Sequence, residues 1–502
     1  MPEHIRALIV VLVVSTVVWL VMRPAIIKII PAPTFARWRT LWYVTTLAWF
    51  LSPGFWIYVL VMLVVLLLAG RREPHVFGLY LLLLLAAPPS SAAIPGFGIV
   101  DHFFFLDHYR LLGLALLLPC AWRLATRSST ERYFKSPVDW MVFAYLLLNT
   151  LLEFRGDSFT NNVRAALLLW LDFFLPYYVA SRSLQNTEGF RHALTGLAVG
   201  AVVVSALAVV EVLRSWKLFE SASAALGLNN FGAYKLRGGF IRPSVTVIDS
   251  IVLGYVVVVA SSAYLYLHKL IESRLLRRLG WVILATGIVA SLSRGPWVGA
   301  LVMLLAFIVV SPKPLKRLIQ GAVFGVCTLL VLSTFPQGQK LVNLLPFVGV
   351  EEQGNVEYRA DLLTVAIPVI ERNLLFGASD FLAAPELRVM KQGEGIIDIV
   401  NSYLGVTLQA GLVGLFFFIG MFLSALWVLR RGVKLANSQP DPSVQTLGRA
   451  LFASVIAIMF IIFTVSGMYV IPTIYYAVVG MASAYFLAQR AAGKVAPAGL
   501  AA

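Results

Sequence analysis

Charged side chains are scarce in this chain of 502 residues. Asp, Glu, Lys and Arg together make up 13% of it, whereas apolar residues make up 60%. Soluble domains carry about 25% charged residues and about 45–50% apolar ones. The composition therefore excludes a soluble enzyme, and the long apolar runs exclude a disordered chain.

Cysteine is almost absent as well. Cys120 and Cys327 are the only two, and both lie inside apolar segments. The sequence therefore indicates neither a disulfide framework nor a cysteine metal site. No internal repeat of fixed period is visible either, which argues against a solenoid or an array of repeats.

Apolar segments extend from one end of the chain to the other. Because a membrane-crossing helix needs about 20 apolar residues, we predict an all-α polytopic membrane protein with about 12–14 transmembrane helices, in which residues 1–502 form a single integral membrane domain. Pro53-Gly54 leaves one ambiguity, between a hairpin of two helices and one broken helix. The candidate spans are 7–22, 41–52, 55–69, 77–90, 109–124, 138–153, 164–181, 192–213, 246–267, 279–292, 296–311, 318–334, 401–429, 447–467 and 470–488.

Acidic residues are fewer than basic ones, at 24 against 40, which gives a formal net charge of +16. In a membrane protein such an excess is typical of cytoplasmic loops, so it does not indicate a nucleic-acid partner. An even number of spans separates each strongly basic loop from the next, so all of them and the C-terminus are predicted to be cytoplasmic. These loops are Arg71/Arg72, Arg123–Lys135, Arg182/Arg191, Lys269–Arg278, Lys313–Arg317 and Arg430–Lys434.

Three segments then face the other side of the membrane. They are a polar loop over 214–245, the tight turn 293–296, and a large loop over 335–400. Within the large loop, the spacing of apolar residues predicts an amphipathic helix over 357–372.

Four arginines on this outer side are the candidate ligand-binding residues: Arg237, Arg242, Arg294 and Arg359. A guanidinium near the membrane surface stays charged and suits a phosphate or a carboxylate. Two interpretations remain open. The arginines either form a phosphate site or pair with nearby carboxylates to tie loops together.

The segments around these arginines resemble the O-antigen ligase and Wzy-type polysaccharide polymerase superfamily. Each motif is short, but their order and their shared outer side are similar to the family pattern. The matching segments are Arg237-Gly238-Gly239-Phe240, Ser293-Arg294-Gly295-Pro296-Trp297, Arg359 opening a helix that ends at Leu375-Phe376-Gly377, and Asn401-Ser402-Tyr403-Leu404 followed by Gly411-Leu412-Val413-Gly414.

The resemblance implies a glycosyltransferase of GT-C-like helical architecture that needs no metal or other cofactor. Its donor would be a glycan on undecaprenyl diphosphate, and its site would face the periplasm of a bacterial inner membrane. Arg237 and Arg294 would bind the diphosphate, and Arg359 the diphosphate or the incoming sugar. Arg242 is a further diphosphate candidate, and Asn401 and Tyr403 would support the acceptor loop. Implied partners are the lipid-linked donor, a glycan or lipid-linked acceptor, membrane lipid and other envelope polysaccharide-assembly proteins.

One position departs from the ligase pattern. The histidine that precedes the Asn-x-Tyr-Leu segment is replaced by Val400, which cannot move a proton. Asp398 and Glu394 are the candidate substitutes, because on a helix they would lie one turn apart, and repulsion between two close carboxylates raises the pKa of one of them and could supply a base. Alternatively, Asp398 is the N-cap of the helix that follows.

The missing histidine favours a polymerase of exopolysaccharide or O-antigen over a ligase that transfers glycan to lipid A-core. A lipid-linked glycan flippase and a membrane scaffold are the alternatives of other classes.

Elsewhere in the sequence, Asp101-His102 and Asp107-His108 could bind a metal ion or supply a histidine base. Asp172 lies within a span, where a carboxylate either functions or pairs with another helix.

Overall fold

The computed structural model describes most of the chain. The described residues are 1–98, 100–128, 130–156, 158–228, 235–312, 314–335, 339, 353–391, 395–437, 439 and 441–495. Glu394 therefore lies outside the described residues. The pairing predicted between Glu394 and Asp398 stays a prediction.

Helices dominate the described part of the chain. They are α1 (Glu3–Ile26), α2 (Ala32–Leu51), α3 (Phe55–Arg72), α4 (Val76–Leu83), α5 (His108–Leu112), α6 (Leu118–Thr126), α7 (Pro137–Glu153), α8 (Phe159–Leu169), α9 (Leu175–Ser183), α10 (Thr187–Arg214), α11 (Glu220–Ala225), α12 (Ser250–Leu267), α13 (Arg274–Ala290), α14 (Arg294–Val309), α15 (Pro314–Ser333), α16 (Gln353–Arg372), α17 (Pro385–Arg388), α18 (Ser402–Ala436), α19 (Pro442–Ile462) and α20 (Val470–Val495). Two antiparallel hairpins complete the described structure: β1 (Ala92–Pro95) with β2 (His102–Leu106), and β3 (Leu236–Arg237) with β4 (Phe240–Ile241).

Among the described residues, eight helical segments are long and apolar enough to cross a membrane. They are Glu3–Ile26, Phe55–Arg72, Phe159–Ser183, Thr187–Arg214, Ser250–Leu267, Ser402–Ala436, Pro442–Ile462 and Val470–Ala492. The prediction of an all-α polytopic membrane protein is confirmed. The remaining predicted crossings fall on shorter or more polar helices, such as α4 and α14.

The core forms around helices that other helices surround. Almost every residue of α12 is buried, and so is the apolar part of α20. A helix that is apolar on all sides is stable only when protein or lipid covers it completely.

The ambiguity at Pro53-Gly54 resolves into two helices, because α2 ends at Leu51 and α3 begins at Phe55.

A π-turn at Trp170–Phe174 joins α8 and α9 into one continuous span that contains Asp172. This carboxylate does pair with another helix, because the guanidinium of Arg110 donates to both of its oxygens. The shortest of these bonds, from Nη2 to Oδ2, is 2.8 Å. The second π-turn, Gly113–Leu117, follows directly on the α5 helix that carries Arg110.

The described residues from Tyr358 to Leu408 form a small core of their own. Apolar residues from α16, α17 and the first turns of α18 pack together in this core; its buried members are Leu362, Ala366, Val369, Leu387, Met390 and Leu408. Helix α16 spans Gln353–Arg372, so it begins four residues before the amphipathic helix predicted over 357–372. This small core places the polar face of α16 beside the loops that carry the other candidate residues.

Candidate functional site

Arg237 lies on a hairpin that docks against the turn before α14. Gly238 and Gly239 join its two strands with φ values of 55° and 80°. Two consecutive positive φ values define the tight hairpin turn that glycine adopts most readily. At the end of the first strand, Arg237 Nη1 donates to the backbone oxygen of Leu292 at 2.6 Å.

Arg294 begins α14, two residues after that acceptor. Leu292 itself adopts φ +48°, a left-handed conformation that a non-glycine residue rarely takes. The next residue, Gly295, lies against Thr464, since a Cβ there would come within 2.5 Å of Thr464 Oγ1. The turn that carries Arg294 therefore lies between the hairpin and the segment after α19.

Arg359 reaches the same segment from α16. Its Nη2 donates to the backbone oxygen of Thr464 at 3.1 Å. Loss of hydration lowers the pKa of this guanidinium, the charge of Asp398 raises it, and the charge of Arg237 lowers it. The charges of Asp398 and Arg237 therefore both act on Arg359, and these three residues are called the charge group.

Asp398 lies in an irregular stretch, residues 395–400, and not on the helix expected near residue 394. Its Oδ1 accepts a hydrogen bond from Ser466 Oγ at 3.1 Å, and its backbone oxygen accepts one from the Tyr358 hydroxyl at 3.1 Å. Burial raises the pKa of the Asp398 carboxyl above its usual range. Asp249 raises it further, while the bond from Ser466 and the charges of Lys235 and Arg359 lower it.

The alternative that Asp398 caps the following helix is wrong. Asn401 is the N-cap of α18, and its side-chain oxygen accepts from the backbone N–H groups of Tyr403 at 2.9 Å and Leu404 at 3.2 Å. The carboxylate of Asp398 is thus not needed by the helix. The hydroxyl of Tyr403 donates to the backbone oxygen of Met459 at 3.0 Å, so Asn401 and Tyr403 fix the start of α18.

Arg242 follows the second strand of the hairpin. Its backbone N–H donates to the oxygen of Lys235 at 2.9 Å, which extends the pairing of the two strands. Its side chain is half-buried, as are those of Arg237 and Arg294. Arg242 is held at the base of the hairpin.

The segment 463–469 is the part of the site that the sequence did not reveal. The sequence predicts residues 463–467 as the end of the apolar span 447–467, yet the structure is irregular between α19 and α20. Thr464 accepts from Arg359, Val465 accepts from Ser402 Oγ at 2.7 Å, and Ser466 donates to Asp398. The run Thr464-Val465-Ser466-Gly467 offered the only signal, since it interrupts the apolar pattern with polar residues and glycine.

Gly377 and Gly411, two glycines of the family-like motifs, lie where two backbone segments cross. Gly411 adopts φ +66° inside α18, where a Cβ would lie 2.3 Å from the carbonyl of Leu375. The backbone N–H of Leu412 donates to Leu374 at 2.9 Å, and that of Ala378 donates to Leu408 at 2.9 Å. The motif glycines therefore have a structural cause, which is close contact of the two chain segments.

Arg155, which the sequence did not single out, stabilises the same crossing. Its guanidinium donates to the backbone oxygens of Phe376 at 3.0 Å, Gly377 at 2.8 Å and Gln409 at 3.0 Å. An arginine that binds three carbonyls tethers α7 to the outer segment. Arg155 therefore has a structural task on the side of the membrane that the sequence predicts to be the outer one.

The Asp–His pairs do not converge on a metal ion within the described residues. Both ring nitrogens of the buried His108 are engaged, Nδ1 with the Tyr58 hydroxyl at 2.7 Å and Nε2 with the oxygen of Leu83 at 2.8 Å. Asp107 accepts from the backbone N–H of Arg110 as the N-cap of α5. Neither member of this pair is available as a base for substrate.

Glu211 anchors the loop that carries the hairpin. The buried carboxylate accepts from the backbone N–H groups of Leu218 at 2.8 Å, Ser244 at 2.9 Å and Val245 at 3.1 Å. One side chain thus fixes both ends of the segment 218–244. The position of Arg237 depends on this internal contact.

Comparison with known proteins covers part of this site. Residues 279–419 match the family model described as O-antigen ligase, a stretch that includes Arg294, Arg359, Asp398, Asn401 and Tyr403. The hairpin with Arg237 and Arg242 precedes the match. No curated protein matches the chain. Over residues 279–419, the predicted resemblance to the O-antigen ligase and Wzy-type superfamily is thus confirmed.

Proposed function

We propose that the protein transfers a glycan from a polyprenyl diphosphate to an acceptor hydroxyl, as a polysaccharide polymerase. One observation carries the proposal. Arg237 and Arg359 bind the backbone on either side of the turn that presents Arg294, through Leu292 and Thr464. A diphosphate gains charge as it leaves, and fixed cations in a partly dehydrated site stabilise that charge.

In this reaction the acceptor oxygen attacks the anomeric carbon of the donor glycan. The bond from that carbon to the diphosphate oxygen breaks, and the diphosphate keeps the electron pair. Asp398 takes the proton of the acceptor hydroxyl, because its raised pKa makes it a stronger base than an exposed aspartate. Glu394 stays a second candidate for this role.

The arginine assignment is tested by transfer with purified protein in lipid nanodiscs. The donor is the lipid-linked glycan extracted from cells that lack the protein, and the readout is chain length on a gel. We expect Arg237→Ala and Arg294→Ala each to lower the rate by about 10²–10³-fold, since each removes one charge partner of the leaving group.

Arg388→Ala is the matched control for these variants. Arg388 is an exposed arginine of the same predicted outer segment, at the end of α17, and it is not one of the four candidate arginines. It should keep the wild-type rate. Wild-type rates in both Arg237→Ala and Arg294→Ala, with the fold intact by thermal unfolding, would contradict the diphosphate assignment.

A ligase is the second candidate, and the description of the matching family favours it. The two reactions share the donor and differ in the acceptor. Supplying lipid A-core to the same assay separates them, because a ligase forms a single modified product while a polymerase extends the lipid-linked chain. The replacement of the ligase histidine by Val400 is our reason for placing the polymerase first.

The GT-C-like architecture, independence from metal, inner-membrane location and periplasmic orientation of the site belong to the same proposal. The distribution of basic loops supports the orientation, whereas the GT-C-like architecture and the metal independence rest on the resemblance to the family over residues 279–419. Measuring transfer after exhaustive treatment with a chelator tests the metal independence. A loss of activity that Mg²⁺ or Mn²⁺ restores would overturn it.

A further inference from the structure

A second group of chemically active side chains lies far from the arginines. His75 precedes α4, and Glu188 and His192 lie one turn apart in the first turns of α10. One ligand atom of each lies within 4.8 Å of the others. Glu211 is near the opposite end of α10, about 28 Å along the helix axis, so this group is separate from the proposed transferase site.

The spacing of these atoms suits a tetrahedral metal ion. Zinc binds imidazole nitrogen and carboxylate oxygen at about 2.0–2.2 Å, which places neighbouring ligand atoms about 3.3 Å apart. His75 Nε2 and Glu188 Oε1 are 3.4 Å apart. This pair already has the separation that a shared ion would impose.

The contact of His192 with its own helix selects the nitrogen that has a lone pair to offer an ion. Its Nδ1 lies 2.9 Å from the backbone oxygen of Glu188. A carbonyl oxygen only accepts hydrogen bonds, so this contact requires the proton on Nδ1 and leaves the lone pair on Nε2. A hydrogen bond of this kind orients most metal-binding histidines in proteins.

The two elements that carry the group are locked together. A Cβ on Gly78 would lie 2.8 Å from the backbone of His192, and a Cβ on Gly196 would lie 2.1 Å from Gly78 O. The buried Glu73 accepts from the backbone N–H of His75 at 3.3 Å. The imidazole rings of His75 and His192 stack at 3.9 Å between centroids, so both are in place before any ion arrives.

The three side chains differ in their exposure to solvent. His192 is buried, whereas the side chains of His75 and Glu188 are 21% and 60% exposed. An ion can therefore enter from solvent and be held against a rigid inner ligand. Two imidazoles and one carboxylate, with a water in the fourth position, form a donor set that favours Zn²⁺ over Mg²⁺ or Ca²⁺.

We propose that His75, Glu188 and His192 bind a divalent transition-metal ion, Zn²⁺ by preference, which joins the segment before α4 to α10. The ion would take one nitrogen from each imidazole and one carboxylate oxygen. It would replace the contact between His75 and Glu188 by two coordinate bonds. None of these three ligands belongs to the proposed transferase site. The metal-site proposal therefore neither requires nor tests the transfer reaction.

The experiment uses the full-length protein in detergent, purified with a tag that contains no histidine and stripped with a chelator. Zn²⁺ is titrated in competition with a chromophoric chelator, and Co²⁺ is added separately for its visible spectrum. We expect one Zn²⁺ per chain and a tetrahedral Co²⁺ spectrum. His75→Gln and Glu188→Gln should each weaken Zn²⁺ binding about tenfold or more, and both positions are accessible enough to leave the fold intact.

His268→Gln is the matched control. Its Nδ1 contacts the oxygen of Tyr264, four residues earlier on its helix, as His192 contacts Glu188, but no second histidine or carboxylate joins it in a metal-ligand set among the described residues. Zn²⁺ should raise the unfolding temperature of the wild type and of His268→Gln, but not of His75→Gln. Absence of stoichiometric binding by the wild type, or equal affinity in His75→Gln, would reduce the group to a hydrogen-bonded pair and overturn the proposal.

Discussion

At the residue scale, the candidate site contains one carboxylate, Asp398, whose neighbours shift its pKa in opposite directions. Burial and Asp249 raise the pKa of Asp398, whereas Ser466, Lys235 and Arg359 lower it. A carboxyl with a raised pKa in the fold favours its protonated form, so the ionised form costs the fold stability above that pKa. The ionised Asp398 therefore carries an energetic cost for the fold, and the proposed role as a general base would account for it.

We expect Asp398→Asn to lower the transfer rate by about 10²–10⁴-fold, the usual contribution of a general base. The amide oxygen still accepts from Ser466 and carries no charge, so the free energy of unfolding should not fall. Rate and thermal unfolding measured on the same preparation check both statements. Asp380→Asn, at an exposed outer aspartate, is the control, and a full rate in Asp398→Asn would rule out the base.

The pH profile gives a second measurement of the same residue. The base acts when ionised, so the rate should fall as the pH drops through the pKa of Asp398. Ser466→Ala removes a hydrogen bond that lowers this pKa, and the acidic limb should therefore move to higher pH. An unchanged acidic limb in Ser466→Ala would indicate that another group controls the profile.

At the element scale, a backbone crossing joins α18 to the segment after α16. Arg155 and the hydrogen bonds between residues 374–378 and 408–413 link segments that are distant in sequence. Sequence motifs indicated these glycines but not their cause. Where two backbones approach closely, the sequence shows a glycine, but it does not show which other segment of the chain lies against that glycine.

Substitution of Gly411 tests the crossing. In Gly411→Ala, the Cβ would meet the Leu375 carbonyl at 2.3 Å and would impose a left-handed conformation on alanine. We expect a loss of about 1–3 kcal/mol in stability, or more where the clash cannot relax. Gly405→Ala is the control on the same helix, because its Cβ meets only Ile399 at 3.6 Å. It should be neutral or stabilising, and equal unfolding temperatures for both variants would contradict the crossing as a constraint.

At the scale of the whole molecule, the sequence indicated the fold class and much of the site. Apolar segments predicted the helical membrane fold, and the motifs identified Arg294 and Arg359 within the segment that the family model matches. The convergence of Thr464 and Ser466 on this group was not predictable, because it depends on α19 ending at Ile462 and not near residue 467. Residues just after the end of a helix can contact a distant segment of the chain at any separation in sequence, so no spacing pattern reveals the contact.

The orientation of the molecule is a further prediction at this scale. Basic loops collect on the cytoplasmic side of a membrane protein, which assigns the loop before α13 to the cytoplasm and the loop before α18 to the periplasm. Glu272 and Lys391 are exposed residues of these two loops. In a chain with both native cysteines replaced by alanine, Lys391→Cys should react with a membrane-impermeant maleimide in intact spheroplasts. Glu272→Cys should react only after permeabilisation, and the reverse pattern would place the arginine group on the cytoplasmic side.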